Sequence, residues 1–322
     1  MKAFFRISLA PALLLVATVA HAAQLSTDAR SAIPYNVQQL VVIDYTAMQN
    51  SNSAIALRDR VMPPELKQFD DALSKFTVTT SGGGSIDQYV DVLAFALYRT
   101  SNSSDDLNTV GIAQGQFPVQ DIMANFQKKK IKPAVLRSNN IYPMGKSGMT
   151  FCLVDPSTMI FGGSDAVKAA LNARDGLAQN MLTNQPMMGA MQSVDSEALW
   201  SILDGQGTQT MMKQVLGQAG SVTDFDTVRK RLQESWYTMD FSHGVNFDLT
   251  IVTGDAFSAA TMSSLLTAAI MVRKMSSTAA EKQALTDTTV DANGGQLSIQ
   301  FAASDTEFAS LLKSPLFQSM VH

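Results

Sequence analysis

The chain has 322 residues, 46% of them hydrophobic and 16% charged, with a formal net charge of −4. That composition excludes a disordered or collagen-like chain and provides for a large core in one domain or two. The acidic balance gives no general electrostatic pull toward nucleic acid or an anionic membrane, so no nucleic-acid partner is expected.

The opening segment, Met1 to Ala22, carries Lys2 and Arg6, then an apolar stretch from Ile7 to Val19 interrupted by Pro11. Ala20-His21-Ala22 fits the small-x-small cleavage rule, so a signal peptide cut after Ala22 is expected. The apolar stretch is short for a membrane span, which needs about 20 residues. An exported protein, periplasmic or extracellular, follows from this reading. Cys152 is the only cysteine, so no intramolecular disulfide can form. It stands in MTFCLVD, a buried-strand pattern, which points to a structural thiol.

Residues 23–38 are polar and weakly patterned and read as a flexible arm. QLVVIDY (Gln39–Tyr45) is a β-branched strand run. Ala54–Arg60 and Pro64–Lys75 keep helical spacing, and TTSGGGS (Thr79–Ser85) is a loop. Gln88–Arg99 and Thr109–Phe117 are partner strands, and Pro118–Lys130 is a helix opened by proline. PAVLRSNNIYPM is extended. Met149–Gly163 reads as a hairpin, and Ser164–Gly176 as a helix with a serine cap. Glu197–Asp204 is a strand candidate, or one helical turn, followed by a short helix in GTQTMMKQVLGQAG. Glu234–Gly254 is a hairpin turning at SHGV, Asp255–Met275 a helix, and LTDTTVDANGGQLSIQFAAS a hairpin turning at Asn293-Gly294. Ser304–Ser314 is the last helix.

The order hairpin, helix, hairpin, capped helix therefore occurs twice. Gly115 in the first block corresponds to Gly254 in the second, and Asp165 to Asp305. The two pairs keep a nearly constant offset along the chain, which motivates an internal duplication. The expected fold is α+β: two related halves, each a mainly antiparallel sheet with helices packed on one face, at 39–180 and 181–322. A half of this kind leaves apolar surface wet, and docking its copy hides it.

Motifs for chemistry are sparse. Gly145-Lys146-Ser147 lacks the earlier glycine of a phosphate loop, because Asn140 stands there, and it leads into a strand. His243 lies beside Asp240 and Ser242, but three neighbours in one tight turn do not make a convergent triad. With so few histidines a histidine-rich zinc site is implausible, and no cofactor is expected. The lysines of KKKIK (Lys128–Lys132) suit a helix C-terminus. The acid pairs Asp70-Asp71, Asp105-Asp106 and Asp224 with Asp226 stand in polar stretches. Ala256–Val272 is uncharged, yet its serines and threonines suit a helix packed on a sheet better than a stable membrane span. Methionine clusters between residues 181 and 212, and thioethers make adaptable apolar surfaces. Met187, Met188, Met191, Met211 and Met212 are thus the candidate partner surface, for an unidentified protein or a small apolar ligand.

The stretches FCLVDPSTMIFGGSDAVKAALNA and EALWSILD resemble a group of exported bacterial proteins of unknown function with duplicated α+β halves, the group called DUF3352. The resemblance implies export and a similar architecture, and it carries no catalytic residue. The function expected is non-catalytic binding or scaffolding. A hydrolase assembled from carboxylates or hydroxyls is one alternative. A carrier of a hydrophobic ligand is the other, and an apolar cavity between sheet and helices would mark it.

Overall fold

Leu40 and Val42 point one way from the strand β1 (Val37–Asp44), and Ile43 points the other. The computed structural model describes residues 24–61, 64–76, 86–100, 106–145, 148–216, 225–315 and 317. In it β1 is central. On one side follow β2 (Val90–Arg99), β3 (Leu107–Gly115), β7 (Thr158–Gly163), β6 (Met149–Asp155), β5 (Asn139–Pro143) and β4 (Ala134–Leu136). On the other side follow β8 (Leu199–Leu203), β9 (Leu232–Asp240), β10 (Val245–Thr253), β12 (Gln296–Ala303) and β11 (Thr289–Asn293). Every neighbouring pair is antiparallel. The fold is thus mixed α+β around one 12-stranded sheet.

The expected pair of separate sheets is corrected on this point. β1 and β8 hydrogen-bond to each other, with Leu40 opposite Ile202 and Val42 opposite Trp200. Left apart, each would present an edge with a row of unpaired backbone groups. Joining them satisfies both ladders and makes the sheet continuous.

Residues directly opposite in an antiparallel pair share a face. Leu40, Ala96, Val110, Cys152, Ile160 and Trp200 lie on the first face. They are covered by α1 (Thr27–Ser31), α7 (Ser164–Arg174) and α8 (Gln185–Gln192). The second face carries Leu93, Phe95, Phe151 and Phe161 under α4 (Pro64–Phe76) and α6 (Val119–Lys128). Farther along it, Leu249, Ile251 and Leu297 lie under α9 (Gly205–Leu216), α10 (Phe225–Arg229) and α11 (Ala256–Ser276). Leu199 and Val245 meet α2 (Tyr45–Gln49), α3 (Asn52–Val61) and α13 (Asp305–Leu311) there. The β1–β7 side is therefore covered on both faces, not on one as the sequence suggests. Beyond β8 the first face carries Thr238, Asp248, Thr250 and Gln300, the polar outward half of an alternating pattern.

The arm expected at 23–38 is also corrected. Leu25, Ala29, Ala32 and Ile33 are buried on the first face, and Ser26 caps α1 by accepting a hydrogen bond from Ala29 N at 3.1 Å. Their spacing is that of one short helical stripe, which a polar average conceals.

The two corner helices of similar sequence take different positions. Phe161 and Phe301 both point to the second face. α7 begins three residues after Phe161, with Gly163 as its N-cap and no side-chain cap bond, so the expected Ser164 cap is not formed. α13 begins four residues after Phe301, capped by Ser304 with Glu307 returning the bond. Strand side chains alternate, so a one-residue shift sends the exits to opposite faces. The turn at Gly162, φ 149°, is one that glycine permits.

Gly111 has a packing reason for being glycine. A Cβ there would meet Phe161 Cζ at 2.2 Å. Phe161 instead lies flat over β3, stacks on Phe69 at 4.2 Å between centroids, and meets Phe95 edge-on at 5.9 Å.

Candidate functional site

An apolar hollow lies on the second face at the β12 end of the sheet. Its floor is Phe247 of β10 with Ile299 and Phe301 of β12. Leu266, Ala269 and Ile270 of α11 form one wall, with Val215 of α9 and Leu311 of α13 closing the ends. Its roof is α12 (Ala279–Asp287), through Ala284 and Leu285. The volume is about 240 Å³, and Arg273 and Thr288 are the polar residues on its rim. An apolar cavity of roughly 150 Å³ is enough to stay dry and bind benzene, so this one has room for a larger hydrocarbon group.

The groove exists because of how α12 is held. Its N-cap Thr278 and Glu281 form a capping box: Glu281 Oε2 accepts Thr278 N–H at 2.7 Å, and Thr278 Oγ1 accepts Glu281 N–H at 3.4 Å. Glu281 is the one residue of this helix that is buried. The underside offers Ala280, Ala284 and Leu285, all only half-buried. Small side chains leave space between α12 and β12 unfilled, and a second hollow of about 140 Å³ opens between α12 and α13, sharing Ala284, Phe301 and Leu311. The pattern of apolar residues predicts no helix here, although Thr278-x-x-Glu281 carries the signal of one.

The opposite wall is firmer. Asp255 caps α11: Oδ1 accepts Ser258 N–H at 2.8 Å, and Oδ2 accepts Arg231 Nη1–H at 2.5 Å. The backbone bond from Ser258, then the Arg231 guanidinium, hold its carboxyl below the usual aspartate range. Ala259, Met262, Leu266 and Ala269 make the buried stripe of α11. Its outer side is bare and apolar, with Phe257 77% and Met275 84% exposed. Thr261, Ser264 and Thr267 turn their hydroxyls back onto carbonyls four residues earlier, at 2.8, 3.0 and 2.9 Å. Among the described residues α11 alone is long and apolar enough to cross a membrane by length and composition, and here it lies along the sheet.

The methionines expected to form one surface do not. Met187 and Met191 are buried on the first face with Met188 against them, while Met212 is buried on the second face with Met211 beside it. The sheet stands between the two sets, so they fill two cores. Asp240, Ser242 and His243 do meet in the exposed β9–β10 turn. Ser242 Oγ donates to Asp240 Oδ2 at 2.7 Å and lies 3.0 Å from His243 Nδ1. The carboxylate engages the hydroxyl and not the imidazole, the reverse of a triad's order. Burial pushes the Asp240 carboxyl up, but hydrogen bonds from Ser242, Phe241 and Asn246 outweigh it and hold the group below its ordinary range.

Cys152 is buried in β6, and that burial pushes its thiol up, away from a reactive thiolate. Lys129 Nζ donates to Lys75 O at 3.0 Å, so that lysine completes the end of α4. Lys146, Ser147, Asp105 and Asp224 lie outside the described residues. Asp70 Oδ1 accepts Ile86 N–H at 3.0 Å, a local structural bond. Among the described residues no three or more His, Cys, Asp or Glu side chains gather as a metal site.

These features define a class: a mixed α+β protein with a single large antiparallel sheet and an apolar groove beneath surface helices. No known protein family matches the sequence, and no curated protein matches it. Among solved structures the chain is similar to TP0453 in its crystal form I, with a TM-score of 0.51 at 10% identity over 91% of this chain and 97% of that one. Crystal form III of TP0453 gives 0.48 at 10% identity, over 88% and 96%. At that identity the likeness speaks for the fold alone.

Proposed function

We propose that the chain is an exported, non-catalytic binding protein that holds a small apolar ligand, or the apolar end of a larger one, in the groove beneath α12. The observation that carries this reading is the groove itself: aliphatic and aromatic side chains from β10, β12, α9, α11, α12 and α13 converge on one hollow with little polar lining. Export rests on the signal pattern of Met1 to Ala22. The architecture proposed with it is an internal duplication, β1–β2–β3–β7–β6 matching β8–β9–β10–β12–β11. Its support is the mirrored strand order about the β1–β8 pair, with α6 and α11 both on the second face. The opposite placement of α7 and α13 is then a divergence between copies. In the first copy the β4–β5 hairpin occupies the place in chain order that α12 holds in the second. Only the second copy would thus own the ligand groove.

The test is a titration of the purified mature protein with an uncharged fluorescent apolar probe such as N-phenyl-1-naphthylamine. The reading expects saturable binding at one site, with a micromolar or tighter constant, competed by unlabelled hydrocarbon chains. A linear, non-saturating signal counts against it.

A further inference from the structure

The side of α11 that faces the groove ends on a cation. Leu266, Ala269 and Ile270 line the hollow, and Arg273, the next position on that side of the helix, lines it too. Apart from Arg273 and Thr288, every lining side chain is apolar. Thr288 Oγ1 gives its hydrogen to Ala284 O at 2.8 Å. The Arg273 guanidinium is therefore the one charged group among the lining residues, and the one side-chain donor there not spent on the backbone.

Its neighbours give that guanidinium little to do. A cation in the last turn of a helix ordinarily complements the terminal carbonyls. Lys274 stands in the same turn for that purpose, and Ser277 Oγ already donates to Arg273 O at 2.7 Å. Among the described residues no carboxylate forms an ion pair with Arg273. The acids of the surrounding elements are engaged or turned away. Asp287 of α12 accepts from Gln283 Nε2 at 2.8 Å. Glu281 and Glu307 close the capping boxes of α12 and α13. Asp291 of β11 pairs with Ser298, one position from the groove's Ile299, and so lies on the other face of the sheet.

We infer that the groove takes an alkyl chain ending in a carboxylate, with the hydrocarbon under α12 and the head on Arg273. The inference rests on the groove being the ligand site proposed above and adds the chemistry of the ligand's polar end. One guanidinium matches one carboxylate in charge, and its planar fork can give two parallel N–H bonds to the two oxygens. A phosphate dianion would leave a charge unmet. The length follows from the volume. A dry cavity of roughly 150 Å³ accepts the six carbons of benzene, so the groove's volume of about 240 Å³ accepts roughly ten on the same scale. The adjoining hollow of about 140 Å³ would extend that to roughly fifteen.

The experiment displaces N-phenyl-1-naphthylamine from the full mature protein with decanoate and, separately, with 1-decanol. It is run at low ionic strength and about pH 8, above the ordinary carboxylate range. The quantity read is the ratio of the two displacement constants. Both competitors share one chain length, so a general change in the groove moves both and leaves the ratio alone. Arg273→Met keeps an unbranched stem without the charge, and it should shift the ratio against decanoate by about tenfold. Arg273→Lys keeps the charge but loses the fork, and should fall between. Lys274→Met, which removes the neighbouring cation from the same turn, should keep the wild-type ratio. Circular dichroism checks the fold of each variant. A ratio equal in wild type and Arg273→Met, or shifted as far by Lys274→Met, overturns the assignment of the head, while displacement by both compounds would leave the groove itself standing. A wild-type protein from which neither compound displaces the probe would overturn the groove reading and this inference with it.

Discussion

Replacing Ala284 with leucine should make the empty protein more stable and its ligand weaker, two effects of opposite sign from one change. Ala284 projects from α12 into both hollows and is half-buried. Leucine adds three carbons in that space. At ~0.8 kcal/mol per buried CH₂ the full gain is ~2.4 kcal/mol, and half-burial reduces it to about 1 kcal/mol. For a chain of this size that raises Tm by about 2 °C. The same three carbons occupy volume the ligand would use. Displacing an equal amount of ligand contact costs about 2.4 kcal/mol of binding, close to fiftyfold in Kd. Thermal unfolding followed by circular dichroism, and titration with the apolar probe, measure the two arms. Ala269→Val, on the facing wall, should act in the same direction and guards against over-packing on α12. A stabilised Ala284→Leu variant that binds the probe as wild type does would refute the placement of the ligand in this groove.

Four further outcomes are expected. The amides of Ala279–Asp287 should exchange with deuterium at least tenfold faster than those of β10, and slow when the groove is filled, because α12 is tied down by a cap and by half-buried side chains. Equal protection of both elements would contradict a movable roof. Thr278→Ala removes the cap of α12 and should cost about 1 kcal/mol, read by denaturant melts, with a several-fold rise in the probe's Kd. Gly111→Ala drives a Cβ into the Phe161 ring and should cost about 1–3 kcal/mol, with loss of near-ultraviolet aromatic signal. Asp175 answers to pH. Burial pushes its carboxyl up, but Arg174 and Arg137 outweigh that and hold it below its ordinary value. A carboxyl with a lowered folded pKa stabilises above its unfolded value of about 3.9, and that stabilisation is lost as pH falls through the folded value. Asp175→Asn should therefore be less stable at pH 7, with the difference from wild type shrinking as pH falls through the lowered folded value.

Local periodicity makes most of the sheet legible, and the faces are not. The alternation in ESWYTMD and NFDLTIV marks β9 and β10, and Asn293-Gly294 marks the last hairpin through a glycine at φ 58°. Such signals are local, as strand alternation and turn chemistry are. The β1–β8 pairing joins Gln39 to Leu203, and nothing in either segment names its partner. The same gap hides the separation of the methionines. Met191 and Met212 are near in sequence, but which side of a sheet a helix covers depends on where the chain leaves the preceding strand. The one-residue difference between Gly163 and Ser304 as N-caps shows how small that determinant is. α12 is legible only through its capping box, since the stretch that follows is too weakly apolar to show a stripe. The groove cannot be read before α12 is placed, because α12 is its roof.

The most direct test of the central claim is a native mass spectrum of the protein recovered without denaturation from the cells that make it. A stoichiometric mass excess that organic solvent extracts as a small apolar molecule, and that Ala284→Leu reduces, is the result expected. Protein that flies at the bare mass of its mature chain, and that takes up no hydrocarbon when offered one in excess, would contradict it.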